Sequence, residues 1–248
     1  MKTLKYLILL WLFSLLAVRP LYSQPFKDDC KELLVQYVKD MAKITKPVKN
    51  KVYRLKYTFE TINKPGSPDK NISVAADMIL AADKSSFESN VISMYADSKN
   101  GFMILPHQRQ VIWGPGGNAG YTEDNFKMIS AFQDSLIRYS KLISCTGLKG
   151  NGGDLKQIIL EVPSNIQNRF FVERLMLIYS NSKKQIVKVV QYFNDQSPMD
   201  KMIVNYEEMD FDYNKKGDFN AYNKVLTASG KLRPEYKGFE LIDNRDKN

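Results

Sequence analysis

Residues 53–60 alternate strictly between apolar and polar side chains. The apolar positions are Tyr53, Leu55, Tyr57 and Phe59. A period of two places one set on each face of a strand, so one face is buried and the other meets water, as in an antiparallel sheet. The alternation therefore predicts a strand over 51–62. It also excludes an all-helical fold for this part of the chain.

The segment 91–113 predicts the next part of the same sheet. Two short apolar runs flank the polar turn Ala96–Gly101, and a second turn at Pro106–Gln110 leads into 111–113. Asn100-Gly101 before an apolar run is a strong local signal for a hairpin. Similar patterns predict further strands at 71–81, 87–94, 155–162, 170–179, 185–193 and 201–213, with a short edge strand at 239–242.

Two segments show helical periodicity instead. In residues 27–45, apolar side chains recur at steps of three and four and form one stripe, and Pro47 ends the segment. A second helix is predicted over 122–143, where Thr122 is a good N-terminal cap. Each helix has one broad apolar face that must be buried, and the sheet is the partner available to both.

The N-terminus has the pattern of a secretory signal. Lys2 and Lys5 precede an apolar run of about 13 residues, which is short for a membrane span. We interpret residues 1–23 as a signal peptide, with an uncleaved anchor as the alternative, and expect one domain over 24–248 with a frayed C-terminal tail. The signal holds three basic residues and no acid, so its removal lowers the formal net charge from +9 to +6. A mildly basic mature chain suits a solvated surface or an anionic membrane surface.

Cys30 and Cys145 are the two cysteines. Export to an oxidising compartment makes a disulfide between them plausible, and two separate buried thiols are the alternative.

No pattern of catalytic or metal-ligating residues stands out. His107, the one histidine of the chain, lies in a predicted turn without an evident partner, and a general base needs a partner and a pocket. Glu208, Asp210 and Asp212 share one face of a predicted strand, but the spacing is not that of a calcium loop, so we interpret them as the wet face of an edge strand. We expect neither an enzyme nor a cofactor, a bound metal or a nucleic-acid partner.

The order of elements and three short segments resemble a known family. The order is signal, helix, antiparallel strands, helix and more strands. The segments are Tyr95–Pro106, Ser182–Ile186, and Met209–Asp212 followed by Phe219. Together they resemble the periplasmic lipoprotein carrier and receptor superfamily, LolA and LolB. One departure concerns residues 82–87: Phe87 matches, but Asp83 stands where the family has an arginine that helps the carrier switch states, and Lys84 replaces a proline.

The resemblance implies the fold class: mainly β with α, an incomplete antiparallel β-barrel whose curved sheet is covered by helices on its concave side. It also implies an exported protein, soluble in the periplasm or outer envelope, that binds lipid or the acyl chains of a lipoprotein in a cavity under a helical lid. Strand and helix residues would line this cavity: Tyr57, Phe59, Met78, Phe87, Phe102, Trp113, Phe132 and Leu136. The alternative is a structural or interaction subunit of an envelope assembly, with an envelope protein as its partner and a filled core of the same fold.

Overall fold

The computed structural model describes residues 28–45, 47–116, 136–148, 154–213 and 220–245. The predicted signal peptide and Phe132 lie outside these residues. Within them, no helix is long and apolar enough to cross a membrane.

Twelve strands form one sheet. Their bounds are β1 Tyr53–Asn63, β2 Ile72–Ala81, β3 Lys84–Ser89, β4 Ser93–Ala96, β5 Asn100–Leu105, β6 Gln110–Pro115, β7 Lys141–Gly147, β8 Leu155–Glu161, β9 Val172–Ser180, β10 Gln185–Phe193, β11 Met199–Asp210 and β12 Glu240–Asp243. The order across the sheet is β12-β6-β5-β4-β3-β2-β1-β11-β10-β9-β8-β7. Every pair is antiparallel except β12 with β6, which is parallel. The order is linear, from β12 to β7, so the curved sheet is an incomplete barrel and the predicted fold class is confirmed.

Among the described residues, three helices accompany the sheet: α1 Asp28–Thr45, α2 Ser164–Phe170 and α3 Ala221–Val225. A further helical turn occupies 136–139. The stripe predicted for α1 is buried, with Leu34, Tyr37, Met41 and Ile44 each less than a tenth exposed. These four residues pack on the sheet face that carries Leu55, Met78 and Leu177, which we call the inner face. The predicted helical cover on the concave side is therefore present, in the form of α1 and Leu136 of the helical turn.

Two predicted boundaries are wrong. The strand predicted at 87–94 is two strands, β3 and β4, because Ser89 makes a turn between them: its hydroxyl accepts bonds from the amides of Val91 and Ile92 at 3.2 and 3.0 Å. The helix predicted to reach residue 143 ends earlier. Lys141 already pairs with Glu161 of β8, so 141–143 belong to β7, and the segment 122–135 lies outside the described residues.

The acidic strand is not at an edge. β11 lies between β1 and β10, in the middle of the sheet. Glu208 pairs with Lys56 and Asp210 with Arg54, and the Arg54 guanidinium lies 3.7 Å from the Glu208 carboxylate. Cationic side chains of β1 therefore balance these acids on the outer face of the sheet.

The C-terminal segment is packed rather than frayed over residues 220–245. It lays α3 and β12 against β4, β5 and β6 and builds a second core, which we call the outer core. The members of the outer core are Tyr95, Phe102, Ile104, Val111, Trp113, Ala221, Val225 and Leu226. The amide of Ala221, at the start of α3, donates to Asp97 of the β4–β5 turn at 2.9 Å. This segment thereby covers one face of the sheet and extends its edge.

Candidate binding site

A row of apolar side chains crosses the inner face of six strands, with one residue from each. The cross-strand partners, in order from β2 to β12, are Met78, Phe87, Met94, Met103, Ile112 and Ile242. Directly opposed residues share a face of the sheet, so all six lie on one side. Met78 is also opposite Leu55. Both residues belong to the core between α1 and the sheet, which we call the inner core. The row therefore lies on the inner face.

Burial falls along this row. Met78 is 1% exposed and Phe87 packs against the inner core. Met94, Met103, Ile112 and Ile242 are only half-buried. The inner face therefore leaves the filled core near β3 and continues as a partly exposed apolar surface over β4, β5, β6 and β12. We call these four residues the methionine shelf.

The chemistry of the methionine shelf suits an irregular apolar ligand. Met94 and Met103 are directly opposed, so their flexible side chains lie next to each other at the end of the shelf that adjoins Phe87. Methionine adapts to irregular shapes because its side chain is unbranched and polarisable. Ile112 and Ile242 continue the surface beyond Met103 with rigid apolar area, which is the usual lining of a small-molecule site.

The other half of the inner face is closed. α1 and the helical turn at 136–139 pack on β8, β9 and β10 and leave a void of about 10 Å³. Its lining residues are Tyr37, Leu136, Ile137, Leu175, Leu177, Val189 and Gln191. Such a volume holds about one water molecule and has no room for an acyl chain.

Buried tyrosines give this closed half its polar groups. The hydroxyls of Tyr37 and Tyr206 lie 3.3 Å apart, and the Tyr206 hydroxyl also reaches the sulfur of Met41 at 3.9 Å. Burial, reinforced by Tyr206, raises the pKa of Tyr37 well above its usual value and that of Tyr57 to about 12. Tyr37 and Tyr57 are therefore neutral at physiological pH, and the hydroxyls of Tyr37 and Tyr206 share a hydrogen bond within an apolar setting.

Two of the residues expected to line the cavity lie on the outer face of the sheet instead of the inner face. Phe102 and Trp113 are opposite each other, stack with ring centroids 5.3 Å apart, and belong to the outer core. Tyr222 of α3 contacts Trp113 edge-on. They are structural residues under the C-terminal segment, and their strand neighbours Met103 and Ile112 take the inner positions. The sequence missed these neighbours because β5 and β6 are apolar on both faces.

Five of the remaining expected residues belong to the core on the inner face or pack against it. Tyr57, Phe59 and Phe87 pack against the inner core, whereas Met78 and Leu136 are buried members of it. Phe132 lies outside the described residues. His107 is exposed in a short turn at Pro106–Gln108, and Asp83 is exposed between β2 and β3. No group of three or more histidine, cysteine, aspartate or glutamate side chains among the described residues could hold a metal ion.

A disulfide joins Cys30 of α1 to Cys145 of β7, with Cα atoms 6.5 Å apart. Cys30 is 4% exposed and Cys145 is half-buried. Of the two alternatives that the sequence left open, the structure contains the paired form.

No protein-family model and no curated protein matches this chain. Among solved structures, it is similar to an uncharacterized conserved protein from Thermus thermophilus, at 9% identity and a TM-score of 0.39, over 87% of this chain and 99% of that one. It is similar to lipoprotein LppX of Mycobacterium tuberculosis at 12% identity and a TM-score of 0.39, over 75% and 98% of the two chains. It is also similar to a LolA superfamily protein from Nitrosomonas europaea at 10% identity and a TM-score of 0.28, over 76% and 97%.

One of these neighbours thus bears the name of the superfamily that the sequence resembles. At these identities and TM-scores, the neighbours assign no cargo, partner or location to this chain.

Proposed function

We propose that the protein is a non-enzymatic binding protein of the cell envelope that holds lipid or acylated cargo on the methionine shelf. One observation carries this proposal: the inner apolar row continues past the filled core as a half-buried surface that begins with two directly opposed methionines. The signal-like N-terminus and the disulfide support an exported protein, because disulfides persist in oxidising compartments.

The test measures binding of a dansylated fatty acid to Met94→Gln/Met103→Gln. Glutamine keeps the length of the side chain but adds a polar amide, so we expect at least about a tenfold loss of affinity from two apolar contacts. Met176→Gln is the matched control. Met176 is half-buried on β9 between Leu175 and Leu177 of the inner core, so its side chain lies on the outer face.

Equal affinity in the wild type and the shelf variant would reject the methionine shelf as the site. Wild-type protein that ignores the probe and yields no lipid on extraction from the envelope would reject the function itself. Native mass spectrometry of the purified protein identifies any lipid that is retained.

A second candidate function is a non-catalytic subunit of an envelope assembly. The filled half of the inner face favours it, because α1 and Leu136 leave a void of only about 10 Å³ there. This candidate requires a stable protein partner and no lipid. Cross-linking in intact cells, followed by identification of a partner whose capture is unaffected by Met94→Gln/Met103→Gln, would favour it over lipid binding.

A further inference from the structure

α1 is tied to the sheet at both ends. Near its N-terminus, Cys30 is bonded to Cys145 of β7, an edge of the sheet. At its C-terminus, residues 47–52 lead directly into β1, and the amide of Val48 donates to the Tyr53 hydroxyl at 3.2 Å. One tie is a disulfide and the other is the chain itself.

The length of α1 matches the distance between these ties. β1 and β7 are the two ends of a run of six neighbouring strands. Five steps between strands cover about 24 Å at the usual spacing. The 18 residues of α1 span about 27 Å. α1 therefore crosses the whole run, and its buried side chains are spread along its length, from Leu34 to Ile44.

The C-terminal end of α1 is held by side chains as well. Lys43 lies 4.6 Å from the ring centroid of Phe211, which itself packs edge-on against Tyr53 of β1. Lys43 also pairs with Asp40 at 2.6 Å. Neither end of the helix is a free hinge, and a swing of α1 would have to break the disulfide or empty the inner core.

We propose that the Cys30–Cys145 disulfide makes α1 a fixed crossbar instead of a movable lid. The inference rests in part on the proposed function, since it assigns cargo to the methionine shelf beyond the crossbar and not to the space beneath α1. The crossbar divides the inner face into a permanently filled half, over β1 and β7–β11, and a half that accepts ligand, over β4–β6 and β12. Loading then proceeds with the disulfide intact and α1 in place.

Native-state hydrogen exchange in increasing urea tests the crossbar without any ligand. In the oxidised protein, we expect the amides of α1 to exchange only through global unfolding, with the same urea dependence as those of β9 and β10. In Cys30→Ser/Cys145→Ser, we expect the N-terminal half of α1 to exchange through a local opening with a weaker urea dependence. Local opening of α1 in the oxidised protein would overturn the crossbar, and identical exchange in both proteins would overturn the role of the disulfide.

A second arm adds the dansylated fatty acid to both proteins. The fixed crossbar requires that α1 keep its protection on loading and that the two affinities agree within about threefold. Loss of α1 protection on loading, or a larger gain in affinity without the disulfide, would show that α1 acts as a lid. If the probe binds neither protein, the proposed function fails, whereas the exchange result on the unliganded protein still decides whether α1 is fixed.

Discussion

At the scale of single residues, burial sets the ionisation of the tyrosines on the inner face. Burial, with a contribution from Tyr206, raises the pKa of Tyr57 to about 12. The unfolded chain then loses this proton first, near pH ~10, so the folded state binds more protons between the two pKa values. The stabilising effect of the neutral phenol is complete below about pH 10 and is lost as the pH rises toward about 12.

We therefore expect the free energy of unfolding to fall above about pH 10, by up to roughly 3 kcal/mol for Tyr57 alone. Tyr57→Phe should make this decline shallower, because phenylalanine has no proton to lose. Urea unfolding at a series of pH values measures the free energy of unfolding across this range. Tyr139→Phe is the control, because Tyr139 is 41% exposed. An unchanged alkaline profile in Tyr57→Phe would contradict the assigned cause.

Arg54 is the centre of a charge cluster on the outer face. Its guanidinium makes two bonds to Asp77, at 3.0 and 2.6 Å, and lies 5.1 Å from the ring centroid of Tyr213. Lysine keeps the charge but loses the planar double contact and the stacking. We expect Arg54→Lys to lower the free energy of unfolding by about 1–2 kcal/mol.

Arg233→Lys is the comparison for Arg54→Lys, because Arg233 bonds Glu235 at a more exposed site. We expect a change below about 0.5 kcal/mol there. Chemical denaturation of both variants at two salt concentrations separates the contribution of the double hydrogen bond to Asp77 from that of charge attraction. Equal losses in the two variants would show that the double contact of Arg54 adds nothing.

At the scale of elements, the sequence predicts the buried face of a strand that has one face in water. For a strand that is apolar on both faces, it does not predict which face meets the inner core. β1 alternates between apolar and polar residues from Tyr53 to Glu60, so the sequence predicts both its position and its apolar face. β5 is apolar at four consecutive positions, from Phe102 to Leu105. Alternation then defines two sets of residues but not which set faces the inner core, and this is why Phe102 was assigned to the cavity and Met103 was not.

Local turn chemistry decided the boundaries that the sequence placed wrongly. Ser89 ends β3 through its hydroxyl, within the segment 87–94 that the sequence predicts as one strand. Residues 136–147 carry apolar side chains at spacings that suit a helix as well as a strand. Pairing of Lys141 with β8 decides in favour of the strand, and such long-range pairing leaves no local signal in the sequence.

Asp97 couples the β4–β5 hairpin to the C-terminal segment. One carboxylate oxygen accepts from the amides of Lys99 and Asn100, and the other accepts from Ala221 at 2.9 Å. Asp97→Ala removes all three bonds. We expect a loss of about 1–3 kcal/mol, together with faster hydrogen exchange across 220–226.

The control for Asp97→Ala is Asp195→Ala in the β10–β11 turn. Asp195 is fully exposed and has one ion pair, with Lys64 at 3.3 Å, so its removal should change stability by less than about 0.5 kcal/mol. Exchange across 220–226 that stays at the wild-type rate in Asp97→Ala would mean that the outer core alone holds the C-terminal segment.

At the scale of the whole molecule, the two cores lie on opposite faces of one sheet. The inner core joins α1 to β1, β2 and β8–β11, whereas the outer core joins the C-terminal segment to β4–β6. The chain closes the larger core with a disulfide between residues 115 positions apart, and that loop contains β1–β6. The covalent link therefore restricts the part of the unfolded chain that carries β1–β6.

Loss of this disulfide should lower the free energy of unfolding mainly because the unfolded chain gains conformational entropy. A closed loop of this length corresponds to about 4–5 kcal/mol of chain entropy, and native disulfides typically contribute 2–5 kcal/mol. We expect Cys30→Ser/Cys145→Ser to unfold at lower urea concentration, by about 3–5 kcal/mol, with a larger m-value because its unfolded chain exposes more surface. Wild-type protein unfolded in the presence of a reductant should behave like the variant. A loss below about 1 kcal/mol with an unchanged m-value would mean that the loop is already compact in the unfolded chain, since residual contacts would then take the place of the covalent link.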